Sequence, residues 1–508
     1  MYNEIQTTVG WRLDNSRKNE VYNKMDDQYI ANYVFSKEIK KALKDLGYET
    51  LTKVQEEVIP LVLAQKDIIV RSQTGSGKTA AFAIPVCEKL EIEQKNPQVL
   101  VLTPNRELAV QLKQDISNIG RFRGVRCAAV FGRQSMEIQR RELRQRVHVI
   151  VGTPGRALDH IERKNMNLGE VQYLIIDEAD KMLDMGFIEQ VKAIINVLPT
   201  NRLTMLFSAT MPDKIQEICQ QYMNKPIKIE VDSETSSLEN IRQVYYEVEE
   251  DEKFNLITKI IYTERPDSCI LFCNTRDKVE TVFKKMQHKG YSCGTLHGGM
   301  EQRDRLSAIH DFKRGEFQFL IATDVAARGI HIDDISLVVN YDMPLDNESY
   351  VHRIGRTGRA GKVGVAITLA TKNEYRILHE IEEYVHYKIP KKETPTVEEV
   401  AEGELIFNRR DGIEPVLKID KNEKLNRQIT RIRINAGKKT KMRPGDILGA
   451  ITAIPGIRGD DIGIIDVQDT CSYVEILGDK GDLVMEALWA TRIKGKIHKI
   501  KEVGFSNK

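Results

Sequence analysis

No apolar run in this sequence approaches the roughly 18 residues that a membrane-spanning helix needs, so no span is expected. The chain opens Met1-Tyr2-Asn3-Glu4-Ile5-Gln6 without an apolar leader core, so secretion is not expected either. Paired cysteines are lacking too. There are seven, odd in number and scattered, and Cys269 and Cys273 flank Ile270-Leu271-Phe272 in an apolar strand pattern. That placement reads as core rather than metal ligands and suits a reducing, cytoplasmic setting. An excess of one charge is also missing. The formal net charge is only +2, so any nucleic-acid surface must be local. What is present is 41% hydrophobic and 30% charged residues over 508 positions, which fits a core-forming protein of two to four domains.

The chain is organised around Ser72-Gln73-Thr74-Gly75-Ser76-Gly77-Lys78-Thr79. This stretch follows the apolar run Ile68-Ile69-Val70 and precedes the helical pattern Ala80–Ile84. Strand, glycine loop and helix together make a phosphate cradle. Gly75 and Gly77 let backbone N–H groups converge on phosphate oxygens. Lys78 can reach the β/γ-phosphates, and Thr79 can place its hydroxyl on Mg²⁺. The helix N-terminus adds partial positive charge. Ser72 stands where the pattern has its first glycine.

Short apolar strands alternate with helical patterns on either side of a polar break. Val99–Leu102, Val149–Val151, Leu174–Ile176 and Met205–Phe207 precede it; Cys269–Cys273, Phe319–Ala322, Leu337–Val339 and Val365–Ile367 follow. Each strand ends in polar or small residues, the habit of a parallel sheet with active loops at its C-terminal edge. The second series has no phosphate loop, so one nucleotide site is expected. The expected segments are a weakly ordered extension (1–26), a first domain (27–231), a linker (232–240), a second domain (241–388), a Lys/Glu/Pro-rich connector (389–426) and a tail domain (427–504). The tail pattern runs β (430–436), α (444–454), β (462–467), β (473–477), α (482–490), β (496–503), an RRM-like order. Residues 427–508 hold 15 Lys and Arg against 10 Asp and Glu. Lys438, Lys439, Lys441 and Arg443 form one basic run; Lys494, Lys496, Lys499 and Lys501 form another. Tyr473 is the aromatic its strand offers for base stacking.

Asp177-Glu178-Ala179-Asp180 follows the strand Tyr173–Ile176. Asp177 can hold Mg²⁺ largely through water, and Glu178 can orient and deprotonate a water for in-line attack. Asp-Glu-Ala-Asp in this context resembles the signature of the DEAD-box ATP-dependent RNA helicases, and further family motifs occur in order. The resemblance implies two tandem RecA-like parallel-sheet domains, with ATP and Mg²⁺ as cofactors. It implies that Gln55, in Thr52-Lys53-Val54-Gln55, contacts adenine, and that Gly329 lies on the nucleotide side. Pro104-Asn105-Arg106, Gly132, Thr153-Pro154-Gly155-Arg156, Arg305 and Thr323 resemble RNA-contact motifs; Arg106, Gly132, Thr153, Arg156, Arg305 and Thr323 would position RNA through its backbone. Asp180, Ser208, Thr210 and His352 would couple the two ligands.

The chain departs from the family pattern at several positions. Leu51 replaces Pro, Ile30 falls near the adenine-stacking aromatic, Asn105 replaces Thr, Arg133 replaces the second of two glycines, and His331 replaces an Asp. Arg353, Arg356 and Arg359 recur every three residues on a Gly-interrupted stretch, so several guanidiniums can converge on one anion. By resemblance Arg356 and Arg359 reach the γ-phosphate when the two domains close. From Asn435 to Gly449 and from Asp461 to Val467 the tail resembles that of the DbpA/YxiN branch. This implies RNA anchoring by Lys438, Lys439 and Lys441, with 23S rRNA and pre-50S particles as partners and a monomeric enzyme. Two other readings stay open: a general RNA helicase with a promiscuous basic tail, and a nucleotide-gated RNA clamp.

Overall fold

A computed structural model describes residues 35–72, 76–231, 240–324, 332, 335–358, 363–410 and 429–504. The extension 1–26, Ile30, and nearly all of the linker 232–240 lie outside them. Two compact units are present, one with the first domain and the tail, the other with the second domain.

Among the described residues of the first domain, the first element is a helix, Lys37–Asp45. Ser36 caps it by accepting the Ile39 N–H, and Gly47 beyond it has φ +74°. Seven strands follow among the described residues: β1 (Ile68–Arg71), β2 (Val99–Leu102), β3 (Cys127–Val130), β4 (Val149–Gly152), β5 (Tyr173–Ile176), β6 (Leu203–Ser208) and β7 (Ile227–Glu230). All pair in parallel in the order β3-β4-β2-β5-β6-β1-β7. The central strands are buried along their whole length, which is why they read as unbroken apolar runs rather than alternating ones. Their C-terminal ends therefore line one edge.

The second domain repeats the plan with β8 (Ile241–Glu247), β9 (Cys269–Cys273), β10 (Cys293–Leu296), β11 (Phe319–Thr323), β12 (Leu337–Asn340) and β13 (Gly364–Ala370), ordered β10-β11-β9-β12-β13-β8. Cys269 and Cys273 are buried free thiols, pushed up by burial, as the core reading expects.

The connector from 389 differs from expectation. Residues 390–392 pair with Tyr245 at the sheet edge, and Val397–Arg410 is a helix. Phe407 is buried, with its ring centroid 5.7 Å from Tyr262 and 6.0 Å from Tyr291. Gly403 permits the close approach: a Cβ there would lie 2.2 Å from the Tyr262 carbonyl oxygen. Two buried apolar residues, Ile389 and Phe407, thus hold a charged stretch onto the domain.

The tail has β14 (Ile429–Ile434), β15 (Ile462–Val467), β16 (Ser472–Leu477) and β17 (Ile500–Glu502), antiparallel in the order β15-β16-β14-β17, with helices Pro444–Thr452 and Gly481–Ala490. It keeps its own apolar core of Ile432, Ile447, Val474 and Val484. Arg121 of the first domain lies 3.6 Å from Glu475 on its sheet.

Candidate active site and RNA-facing loops

The phosphate loop leaves β1 and enters the helix Lys78–Lys89 through Gly77, whose φ is +91°. A Cβ on Gly77 would lie 2.5 Å from Gln55 Nε2, so glycine is required for both conformation and space. Gln55 is buried. It donates from Nε2 to the Gly77 carbonyl at 3.2 Å and accepts the Thr52 N–H on Oε1 at 2.9 Å. Thr52 in turn donates to the Ser76 carbonyl at 2.8 Å. The Gln55 amide therefore braces the loop, and its second N–H and second lone pair are what it can offer adenine. Leu51 is buried beside it in the apolar core. Lys78 is folded inward, donating to the Ser72 carbonyl at 3.0 Å. Ser72 itself is buried, and its N–H donates to the Ser208 carbonyl. Gln73, Thr74 and Gly75 lie outside the described residues.

Asp177 and Glu178 leave β5, and β6 lies between that strand and β1. Glu178 adopts φ +54°, ψ +51°, and its N–H donates to Asp177 Oδ1 at 3.0 Å. This left-handed step starts the helix Ala179–Asp184 immediately after the strand. Lys181, which the sequence did not single out, donates to Glu178 Oε1 at 2.7 Å. Thr79 and Asp177 offer hard oxygen donors and few protein ligands, the set that suits Mg²⁺ completed by phosphate and water.

Three of the four expected coupling residues, Asp180, Ser208 and Thr210, meet; His352 belongs to the second unit. Asp180 Oδ2 accepts the N–H groups of Ala209 and Thr210 at 3.0 and 2.9 Å and the Thr210 hydroxyl at 3.2 Å. The Asp180 N–H donates to Ser208 Oγ at 3.2 Å. The turns after β5 and β6 are thereby tied by four bonds.

Past β2, β3 and β4 lie the loops with the expected RNA contacts. Asn105 caps the helix Arg106–Ile119 by accepting the Leu108 N–H at 2.8 Å, so the departure from Thr keeps the cap. Arg106 runs beside Gly132, where a Cβ would sit 3.6 Å from its Nη2. Thr153 precedes Pro154 at the start of the helix Pro154–Glu162. Arg156 donates to the Gln134 carbonyl at 2.9 Å and to Gln139 Oε1 at 3.0 Å. Gln139 is the buried hub that sequence reasoning missed. Its Nε2 donates to the Phe131 carbonyl and to Gln134 Oε1, and its Oε1 also faces His160 Nε2 at 2.9 Å. Asn165 Nδ2 lies 3.1 Å from His160 Nδ1, which fits a neutral ring accepting there and donating from Nε2. Burial, reinforced by the Arg156 charge, pushes His160 down to about 4.

In the second unit Thr323 ends β11 and is buried, and Arg305 lies on the helix Gln302–Arg314. His352 and Arg353 lie in the last turn of the helix Asn347–Ile354. Arg353 is turned inward, so it is not one of the guanidiniums that the three-residue spacing could aim at an anion. Its guanidinium is buried and bonded to Asp324 at 2.5 and 2.6 Å, the Asp342 carbonyl at 2.7 Å and Asn274 at 2.8 Å. A full set of acceptors explains why it turns inward. Arg356, past the helix end, is 5% exposed. Gly329, His331 and Arg359 lie outside the described residues.

In the tail, Lys438, Lys439 and Lys441 are exposed on one turn. The second basic run meets them, because Lys494 Nζ donates to the Lys441 carbonyl at 2.5 Å and lies 3.4 Å from Asp446. Tyr473 is covered by the Arg431 guanidinium at 4.8 Å, which leaves its ring a poor open platform for a base.

Comparison with known proteins agrees with this layout. Residues 52–218 match the DEAD/DEAH box helicase family, 252–361 the helicase conserved C-terminal domain and 431–502 the DbpA RNA binding domain. The chain is 51% identical over 474 residues to the ATP-dependent RNA helicase DbpA of Bacillus subtilis, covering 93% of this chain and 99% of that protein. It is 44% identical to the DEAD-box ATP-dependent RNA helicase CshA of Geobacillus kaustophilus, covering 77% of this chain and 83% of that one. Among solved structures, S. cerevisiae Dbp5 bound to RNA and ADP BeF3 is 32% identical with a TM-score of 0.65, covering 75% of this chain and 99% of that one.

Proposed function

Since this chain belongs to the DEAD-box ATP-dependent RNA helicases of the DbpA type, we propose that it anchors on 23S rRNA through its tail and opens short duplexes nearby during assembly of the large ribosomal subunit. The observation that carries the anchoring is the single basic edge formed where the 438–443 and 494–501 runs meet through Lys494. Anchoring there raises the local concentration of neighbouring duplex at the helicase domains. The proposed setting is the cytoplasm, with a monomer acting on pre-50S particles.

The proposed division of labour follows from the chemistry of each group. Backbone N–H groups of residues 72–79 and the Lys78 ammonium bind the ATP phosphates, and Gln55 reads adenine while bracing Gly77. Gly329 is the second domain's member of the proposed nucleotide-binding set. Thr79 and Asp177 would hold Mg²⁺, which supplies neutralisation of phosphate charge when bound. Glu178 orients the attacking water and takes its proton. Arg356 and Arg359 stabilise the charge that develops on the transferred phosphoryl group, a contribution of roughly 10³–10⁵ in rate. Arg106, Gly132, Thr153, Arg156, Arg305 and Thr323 grip one RNA strand by its backbone. Asp180, Ser208, Thr210 and His352 link that grip to the nucleotide, so each ligand favours the closed state that binds the other.

ATP hydrolysis by the full chain, measured with total rRNA, an isolated rRNA hairpin and unrelated RNA, tests this reading. rRNA and the hairpin should stimulate at far lower concentration, and Lys438→Glu with Lys441→Glu should abolish the preference but keep the activity. Equal stimulation by all three RNAs leaves a general helicase. Strand separation that needs ATP binding but no turnover, with a nonhydrolysable analogue as effective as ATP, leaves a clamp.

A further inference from the structure

Arg133 occupies a backbone conformation that suits glycine. Its φ is +60°, in the left-handed region where a side chain crowds its own backbone. Such a residue persists where its surroundings over-determine it. Here they do: Gln139 Nε2 bonds the Phe131 carbonyl on one side of Arg133 and the Gln134 side chain on the other, and Arg156 bonds the Gln134 carbonyl. The loop is clamped at both ends of a strained arginine.

That arginine is also unengaged. It is exposed, and among the described residues its guanidinium has no ion-pair or hydrogen-bond partner. Arg156, by contrast, is bonded to Gln134 and Gln139 and lies 3.6 Å from Asp159. Arg106 runs along the preceding residue, Gly132. An unpaired cation thus stands next to Gly132 on a loop that Arg106 and Arg156, two residues assigned to the RNA grip, meet from neighbouring helices.

We propose that Arg133 is an additional RNA-binding residue that contacts a backbone phosphate of the bound strand, and that its strained position is kept for this contact. The inference rests on the reading of these loops as RNA-facing. Its chemistry is sequence-independent: one guanidinium on one phosphate displaces about one condensed counterion.

The test measures affinity of the full chain for a fluorescein-labelled ten-nucleotide single-stranded uridine RNA with a nonhydrolysable ATP analogue, across a series of KCl concentrations. Arg133→Gly should bind roughly three- to tenfold more weakly at low salt. Its log K against log salt slope should be shallower by about 0.7. It should melt at the same or a higher temperature than wild type, because glycine relaxes the backbone. Arg133→Lys, which keeps a charge, should keep most of the slope. A wild-type slope in Arg133→Gly overturns the proposal, as does equal loss in both variants. Arg156→Ala separates the two levels. If it weakens binding while Arg133→Gly does not, only the role of Arg133 fails; if neither changes binding, the RNA-facing reading of the loops fails with it.

Discussion

His160 shows how much of the site depends on single buried polar contacts. It is fully buried, accepts on Nδ1 from Asn165 and donates from Nε2 to the Gln139 hub, which holds Phe131, Gln134 and Arg156. Protonating Nδ1 would set one N–H against the Asn165 amide hydrogens and place a charge out of water near Arg156. Its folded value of about 4 lies below the unfolded 6.5. Between those values the unfolded chain binds the proton that the folded chain refuses, so stability rises with pH across the window. The neutral ring's contribution is therefore complete above about pH 6.5 and is lost as pH falls toward 4. Melting curves across this range should show a loss that His160→Gln reduces, since an amide keeps hydrogen-bonding capacity without titrating. An identical pH dependence in the variant would remove His160 from the account.

Elements differ in how openly the sequence declares them. The strands were legible because parallel strands buried on both faces are short unbroken apolar runs, and Val99–Leu102 or Cys269–Cys273 cannot be much else. The tail's order of strands and helices was legible for a similar reason: its alternation matches one buried face. The phosphate loop and the Asp177–Asp180 turn announce themselves because their chemistry fixes residue types at fixed spacing. The helix Val397–Arg410 hid behind its charge, since its hold on the second domain rests on Phe407 and on the gap left by Gly403. Gln139, His160 and Arg353 hid for another reason. Their partners are brought close by the fold, and a buried hydrogen bond leaves no periodicity in sequence. The hidden helix is the more easily tested. Phe407 packs on Tyr262 and Tyr291, so Phe407→Ala should cost about 3–5 kcal/mol in the unfolding of the second unit. Denaturant unfolding followed in that unit measures it. A loss below about 1 kcal/mol would mean that the helix is only loosely attached.

At the scale of the whole molecule, the proposed chemistry divides unequally between the two helicase domains. Lys78, Thr79, Asp177 and Glu178 belong to the first, and Arg356 to the second. A domain that holds ATP but lacks the cation for its developing charge should turn over slowly, and RNA should speed it by favouring the complete arrangement. Arg356 is a sharp probe of this division because its neighbour Arg353 is already committed to Asp324 and Asn274 and cannot replace it. Arg356→Lys keeps a positive charge but loses the planar fork, so the fold should survive while phosphoryl stabilisation weakens. RNA-stimulated kcat should fall by roughly 10³ or more, with little change in ATP affinity measured without RNA. Melting temperature separates this from damage to the fold, since Arg356 is only 5% exposed. If the substitution leaves RNA-stimulated turnover within a few-fold of wild type at an unchanged melting temperature, the second domain does not supply the catalytic cation through this residue, and the division of labour between the domains must be drawn elsewhere.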